Sequence, residues 1–314
     1  MQIQRFPTLG EWTEKKTNSF IEEKLVIRNP EELKSKIEKM ISDGAKQTQI
    51  VTDFDQTISS FLSPATFSLF RMSELSPQDF KNKMQQYYDY YVPIEKDQSI
   101  KIDEKNKHMH EWYQKVSEAF HEAKFTKSLS CQILNTSHIY LRQLFEPFFN
   151  KCVEEHIPFH IVSGGLDRVI NTILASIHDI DTYDEMTLHT NQMLFQDDIL
   201  EKMEMLVTAT TKAKILETSG IQFRNNTILL GDLPSDFYMT KFLNIPNQVS
   251  IGFLAQDHSY QLEEYKKLYD ITIIGDPSFL VPLVLLSKVI GYPLSEECTQ
   301  LFNSKNYDEL RELF

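Results

Sequence analysis

Glycine is scarce in this chain, nine in 314 residues, under half the about 7% of an average protein. Where two glycines stand side by side, as at Gly164-Gly165, the backbone therefore has a reason to come close to something. Cysteine is scarcer still. Cys131, Cys152 and Cys298 are far apart in the sequence, odd in number and without metal-site spacing. That argues against a disulfide framework and makes reduced cytosolic thiols the default expectation. Positive charge is short as well: 32 Lys and Arg stand against 45 Asp and Glu, a formal charge of −13. General nucleic-acid binding, which leaves a basic footprint, is not expected. Long apolar runs are also missing. The longest, around 279–290, is too short for a membrane span and reads as a core helix. The N-terminal MQIQRFPTLGEWTEKK is polar and charged, so no secretory signal is expected. These absences point to a cytoplasmic protein, expected to be monomeric, with no membrane and no nucleic-acid partner.

What is present is ordinary for a globular chain: 41% hydrophobic and 25% charged residues, enough for one large or two modest domains. Asn29-Pro30-Glu31-Glu32 reads as a helix start, with Asn as cap and Pro at the first helical position. The helix should stop at Asp43-Gly44. Residues 49–53 then read as a buried strand. From 62 to 157 strand patterning fades, and polar–aromatic stretches predict helices over 77–91, 103–122 and 136–155, punctuated by Pro64, Pro77 and Pro93. Strand signals resume at 158–163, 186–194, 227–231, 249–253 and 271–274. Helices are expected between most of them, over 166–177, 210–219, 234–243 and 259–268. The alternation predicts an α/β fold with a doubly wound parallel sheet. Its core would be residues 1–61 plus 158–314, with a helical cap, 62–157, inserted after the first of these strands. No internal repeat or low-complexity segment stands out.

The chemistry starts at Thr-Gln-Ile-Val-Thr-Asp-Phe-Asp-Gln-Thr-Ile, residues 48–58. A strand delivers Asp53 and Asp55 to its carboxyl end, where ligands bind in parallel sheets. Asp53 can act as nucleophile and metal ligand. Asp55, two residues on, can protonate a leaving oxygen and then deprotonate water, and Thr57 can orient the turn. The same residue types also cap ordinary turns.

Three further segments follow in order. Ile161-Val162-Ser163-Gly164-Gly165 ends a strand in a hydroxyl and two bare backbone positions before a helix, a ready phosphate cradle, though also a plain strand–helix turn. Lys212 begins a helix and could neutralise phosphoryl oxygens; a lone lysine is more often solvated surface. Ile228-Leu229-Leu230-Gly231-Asp232 brings a third carboxylate to a strand tip, suited to a hard cation such as Mg²⁺. Asp236, four residues later, could ligate through water, pair with Lys212, or cap a helix.

In this order the four motifs resemble those of the haloacid dehalogenase superfamily of phosphohydrolases, and the insertion after the first resembles its helical cap. The likeness extends to the cytosolic 5′-nucleotidase III (pyrimidine 5′-nucleotidase) family. Its marks are residues 50–55 with the following x-T-I-S-x-F, Tyr90-Tyr91 with Ile94-Glu95-x-Asp97, Met109-His-Glu111-Trp112-Tyr113-Gln-Lys115, Ile157-Pro158 with Ser163-x-Gly165, and 228–236. It runs from about residue 20 to 290.

The resemblance implies a Mg²⁺-dependent hydrolase of nucleoside 5′-monophosphates, working through an aspartyl phosphate. Asp53 matches the nucleophile and a metal ligand. Asp55 matches the acid/base, with its main-chain carbonyl on the metal, and Asp232 the remaining protein ligand. Ser163, Gly164 and Lys212 match phosphate contacts. Glu95 matches the carboxylate that hydrogen-bonds the base, and Trp112 and Tyr113 fall in the cap's aromatic segment.

An ionised Glu95 only accepts hydrogen bonds, so it selects an exocyclic amine, as in cytosine, or a cationic base such as 7-methylguanine. Most of Tyr87, Tyr88, Tyr90, Tyr91, Trp112 and Tyr113 should be cap core. Three departures from the family bear on base choice rather than phosphate chemistry: Val116 aligns with a serine, one residue is inserted near Val92-Pro93, and 63–76 lacks a Cys- and His-containing run. Rival readings are a phosphatase of another small phosphomonoester, a nucleoside phosphotransferase, and a non-catalytic nucleotide-binding protein on the same fold.

Overall fold

The computed structural model describes residues 24–97, 99–178, 183–209, 211–275 and 278–314. The N-terminal segment read above for a secretory signal lies outside them. Chain order begins with β1 (Lys24–Ile27), α1 (Pro30–Asp43) and β2 (Thr48–Thr52), followed by α2 (Thr66–Met72), α3 (Gln78–Lys96), α4 (Ile102–Glu122), α5 (Lys127–Thr136) and α6 (Phe145–Glu154). The second half runs β3 (Phe159–Leu166), α7 (Asp167–Ile177), β4 (Met186–Gln196), β5 (Ile199–Glu204), α8 (Lys212–Ile215), β6 (Asn226–Gly231), β7 (Asn247–Leu254), α9 (Leu262–Leu268), β8 (Ile271–Ile274), α10 (Leu280–Ile290), α11 (Glu296–Ser304) and α12 (Asp308–Arg311).

The strands form one eight-stranded sheet in the order β1-β8-β7-β6-β2-β3-β4-β5. Pairings from β8 through β4 are parallel; β1 and β5 join antiparallel at the two edges. Succession from β2 runs outward through β3 and β4, then returns to β6 on the other side. That reversal opens a crevice at the carboxyl ends of β2, β3 and β6. Both faces are covered, so the central strands are apolar at consecutive positions. Ile50, Ile161, Ile228 and Leu230 enter the large core, and Val51, Val162 and Leu229 the smaller one behind it.

Local signals placed α1 as expected. The Asn29 side chain accepts from Glu32 N, Pro30 opens the helix, and Gly44 ends it at φ +72°. The apolar run at 279–290 is indeed a core helix, α10, and among the described residues no helix is long and apolar enough to cross a membrane.

Several expectations need correction. The parallel sheet carries two antiparallel edge strands, β1 and β5, that the pattern missed. Only the second half of the helix expected over 136–155 is helical, as α6; an extended stretch precedes it, and α5, which ends at Thr136, lies outside the expected range. Leu141 bridges back to Ser59, Leu144 takes φ +68°, and α6 then presents Phe145, Phe148, Phe149 and Cys152 to Phe159 and Phe279. The demands of strand-like pairing at 141 and of an apolar stripe from 145 cannot be met by one continuous helix. The helix expected over 210–219 is the single turn α8, residue 210 lying outside the described residues, and that over 234–243 is a 3₁₀ turn, Asp236–Thr240.

Candidate active site

β2 is buried along its whole length, and its hydrogen bonding continues one residue further, Asp53 N donating to Leu230 O of β6 at 3.1 Å. This sets Asp53 at the mouth of the crevice. The chain then turns sharply. The amides of Thr57, Ile58 and Ser59 all reach Phe54 O, and Gln56 adopts φ +61°. A buried cation clamps the turn: Arg142 donates through Nε to Thr57 O at 2.8 Å and through Nη2 to Gln56 O at 2.5 Å. Its guanidinium lies 4.2 Å from the Phe253 ring centroid, a cation–π contact that helps hold a charge away from water.

The motif residues converge on this turn. Lys212, at the start of α8, is 4% exposed and places Nζ 2.6 Å from Asp53 Oδ1 and 2.7 Å from Asp236 Oδ1. Of the three roles open to Asp236, the lysine pairing is the one seen. Its other oxygen accepts the amides of Asp232 and Leu233, at 3.1 and 2.9 Å. Gly231 permits that turn, since a Cβ there would stand 2.3 Å from Asp236 Cβ. Thr57 Oγ1 donates to Asp232 Oδ1 at 3.2 Å. On β3, Ser163 is buried and its Oγ accepts from Gly165 N at 3.1 Å. Gly164 O is braced by Asn191 Nδ2 at 2.7 Å, and Tyr113 OH would lie 3.0 Å from a Cβ at Gly164.

Four carboxylates, Asp53 and Asp236 buried and Asp55 and Asp232 half-buried, beside one buried lysine leave negative charge poorly compensated. Burial, opposed by Lys212, holds the Asp53 carboxyl at about 6. Burial and then the charge of Asp53 raise Asp55 to about 7. Asp232 is pushed well above the ordinary carboxylate range by burial and by the charges of Asp236 and Asp53. Asp53, Asp232 and Asp236 each offer an oxygen within 4.8 Å of the others'. Both Asp236 oxygens already have donors, so Asp53 and Asp232 are the pair in need of a counter-charge. Hard oxygen donors short of positive charge fit a Mg²⁺-like cation. The Asp55 side chain is turned elsewhere: Oδ1 accepts from Thr66 N at 3.0 Å and Oδ2 from Thr66 Oγ1 at 3.0 Å.

A cavity of about 280 Å³ opens above these groups. Asp53, Asp55, Ser163, Gly164, Lys212 and Asp232 line it, and so do Glu95 of α3 and Trp112 and Val116 of α4. Thr57 and Asp236 support the lining from behind. Trp112 stacks on Tyr91 with the rings 9° from parallel and centroids 5.6 Å apart; Tyr91 itself is core, while Tyr88 and Tyr90 are exposed. Burial raises the Tyr113 hydroxyl, and the charge of Glu95 adds to the effect. Sequence reading missed Thr66, Phe67, Ser68 and Arg71 of α2, whose only linear signal was the run 63–76, noted for what it lacked, and it missed Met84 and His258, which carried none; Tyr88, expected among the cap aromatics, lines the cavity.

The pyrimidine 5′-nucleotidase (UMPH-1) family model matches residues 50–290. The chain is 29% identical over 265 residues to the 7-methylguanosine phosphate-specific 5′-nucleotidase A of Xenopus laevis, covering 80% of this chain and 90% of that one. It is 25% identical over 279 residues to the 7-methylguanosine phosphate-specific 5′-nucleotidase of Homo sapiens, covering 85% and 92%. Among solved structures, cytosolic 5′-nucleotidase IIIB bound to cytidine superposes with a TM-score of 0.74 at 24% identity, over 94% of this chain and 99% of that one. The haloacid-dehalogenase-like α/β architecture expected from the motif order is therefore the one observed. With the family model matching residues 50–290, most of the chain, this protein belongs to the pyrimidine 5′-nucleotidase (UMPH-1) family.

Proposed function

We propose that this protein hydrolyses nucleoside 5′-monophosphates, of pyrimidines or of 7-methylguanosine, to nucleoside and phosphate. The observation that carries the reading is one cavity in which Asp53, Asp55, Ser163 and Lys212 share the lining with Glu95 and Trp112. A mononucleotide matches that asymmetry, with a dianion at one end and a planar, hydrogen-bonding ring at the other. The insertion, 62–157, serves as the cap over the base, and residues 1–61 plus 158–314 as the core holding the phosphate.

In the first step an Asp53 carboxylate oxygen attacks phosphorus and the P–O5′ bond breaks. Asp55, held by burial at about 7, supplies the proton that the departing 5′ oxygen needs. In the second step Asp55 takes a proton from water, which attacks the aspartyl phosphate and frees Asp53. Ser163 and the Gly164 main chain orient the phosphoryl oxygens, and the Lys212 ammonium offsets their charge. Asp53 and Asp232, with the Asp55 main-chain oxygen, would hold Mg²⁺, which supplies Lewis-acid charge at the phosphate when bound. Glu95 accepts from the base edge while Trp112 covers its face. The three free cysteines suit a reducing cytoplasm, where the protein would act as a monomer on free nucleotides.

Asp53→Asn tests the reading. Phosphate release from CMP, UMP and 7-methylguanosine monophosphate should fall to background, with the fold intact by circular dichroism. Turnover surviving in that variant would refute the covalent route.

A further inference from the structure

Thr66 has no role in the scheme above, yet it is the residue that holds the Asp55 carboxylate. It is fully buried at the start of α2, eleven residues beyond Asp55. Its amide donates to Asp55 Oδ1 at 3.0 Å and, more distantly, to Oδ2 at 3.2 Å; its hydroxyl lies 3.0 Å from Oδ2. The hydroxyl also receives Leu166 N at 3.1 Å. A backbone amide can only donate. Leu166 therefore occupies a hydroxyl lone pair, and the single hydroxyl proton is directed at Asp55 Oδ2. Polarity runs one way, from Leu166 N–H through Thr66 O–H to Oδ2, and leaves Oδ1 as the oxygen able to carry a transferable proton.

Gly165 makes room for this chain of bonds. A Cβ at that position would stand 2.6 Å from Thr66 Oγ1 and 3.2 Å from both Asp55 Oδ2 and Ser163 Oγ, closer to the Thr66 hydroxyl than any real contact. Three segments far apart in sequence, the turn after β2, the first helix of the insertion and the end of β3, thus meet at one hydroxyl.

We propose that Thr66 is a positioning residue for proton transfer: its hydroxyl, oriented by Leu166, fixes the rotation of the Asp55 carboxylate and selects Oδ1 as the oxygen that serves the leaving group. The inference rests on the reading of Asp55 as acid/base. In the first step the Asp53–phosphorus bond forms, the P–O5′ bond breaks, and the Asp55 proton ends on O5′. A misaligned Asp55 therefore matters for a nucleoside, whose alkoxide must be protonated, and matters little for p-nitrophenolate, which leaves as the anion.

The test compares kcat/KM for CMP and for p-nitrophenyl phosphate in wild type, Thr66→Val, Thr66→Ser and Asp55→Asn. Thr66→Val keeps the shape and the amide and removes the hydroxyl. It should lose about 100-fold on CMP, within the range of general acid catalysis, and under about 5-fold on p-nitrophenyl phosphate. Thr66→Ser should stay within about 3-fold of wild type on both. Should Thr66→Val fold poorly, Thr66→Ala removes the same hydroxyl, keeps the amide and should give the same selective loss. Equal losses on the two substrates, or no loss, in a folded Thr66→Val or Thr66→Ala would overturn the proposal while a selective Asp55→Asn left the acid/base assignment standing. An Asp55→Asn variant that is itself unselective would remove the assignment and this inference together.

Discussion

Replacing Lys212 by Met should destabilise the protein measurably and abolish turnover, and the two effects can be separated. Met has nearly the length of Lys but neither charge nor donors. The lysine side chain is 6% exposed, and those of its partners Asp53 and Asp236 are 5% and 0% exposed. Losing Nζ removes two charge-assisted hydrogen bonds, about 1.5–3 kcal/mol each, and leaves two carboxylates facing each other out of water. Breaking a buried pair from one side costs about 3–5 kcal/mol; about 4 is a reasonable centre. Unfolding entropy of about 2.1 cal/mol/K per residue over 314 residues comes to about 0.65 kcal/mol/K, so the melting temperature should fall by about 6 °C. Differential scanning calorimetry in metal-free buffer measures this. Adding Asp236→Asn removes one of the stranded charges and keeps an oxygen for the amides of Asp232 and Leu233. The double variant should therefore recover at least half of the loss and still release no phosphate. A melting temperature within 2 °C of wild type in Lys212→Met would refute the electrostatic account of the cluster by roughly the whole pair energy. Phosphate release restored in the double variant would refute Lys212 as a phosphate contact.

The uncompensated charge on Asp53 and Asp232 predicts that Mg²⁺ stabilises the protein even without substrate. At a concentration about 100 times its Kd the gain should be about 2.7 kcal/mol, near 4 °C, and should vanish in Asp232→Asn; a Mg²⁺-independent melting temperature counts against a site there. At the base end Glu95→Ala should erase discrimination among CMP, UMP and 7-methylguanosine monophosphate in kcat/KM without moving kcat for the best substrate. Arg71→Gln, which removes a cation from the cavity wall, should favour the cationic 7-methylguanine base over cytosine several-fold, an effect of about 1 kcal/mol for a half-buried charge; an unchanged ratio would place Arg71 outside the base's reach. Behind the sheet, His160 is held at about 4 by burial, His189 and Arg224. The unfolded chain thus takes up its proton first: stability from this group is complete above pH 6.5 and is lost as pH falls toward 4, by up to about 3 kcal/mol. His160→Gln should flatten urea-derived stability over that window, and an unaltered slope would show that His160 is not the acid-sensitive group.

The sequence by itself determined the features that depend on near neighbours. Asn29-Pro30 and Gly44 marked the ends of α1, because capping and positive φ are satisfied within a few residues. Strand ends carrying Asp53, Ser163 and Asp232 were legible because a parallel strand covered on both faces must be apolar right up to its polar tip. Their order along the chain then implied one crevice. Tertiary structure alone decided matters that rest on contacts across long separations. It shortened the helix expected over 136–155 to α6, because Leu141 pairs with Ser59 while Phe145 and its neighbours pack on Phe159 and Phe279. It added β1 and β5, short edge strands of four and six residues held by pairing with distant or following strands. It brought Arg142 beneath the turn after β2 and Arg71 into the cavity wall, where no spacing rule could place them. Thr66 shows the limit most plainly: threonine among ordinary loop residues carries no linear signal. Only the fold brings it against Asp55, Gly165 and Leu166, where a hydroxyl with one proton and a fixed donor behind it has a single direction in which to point.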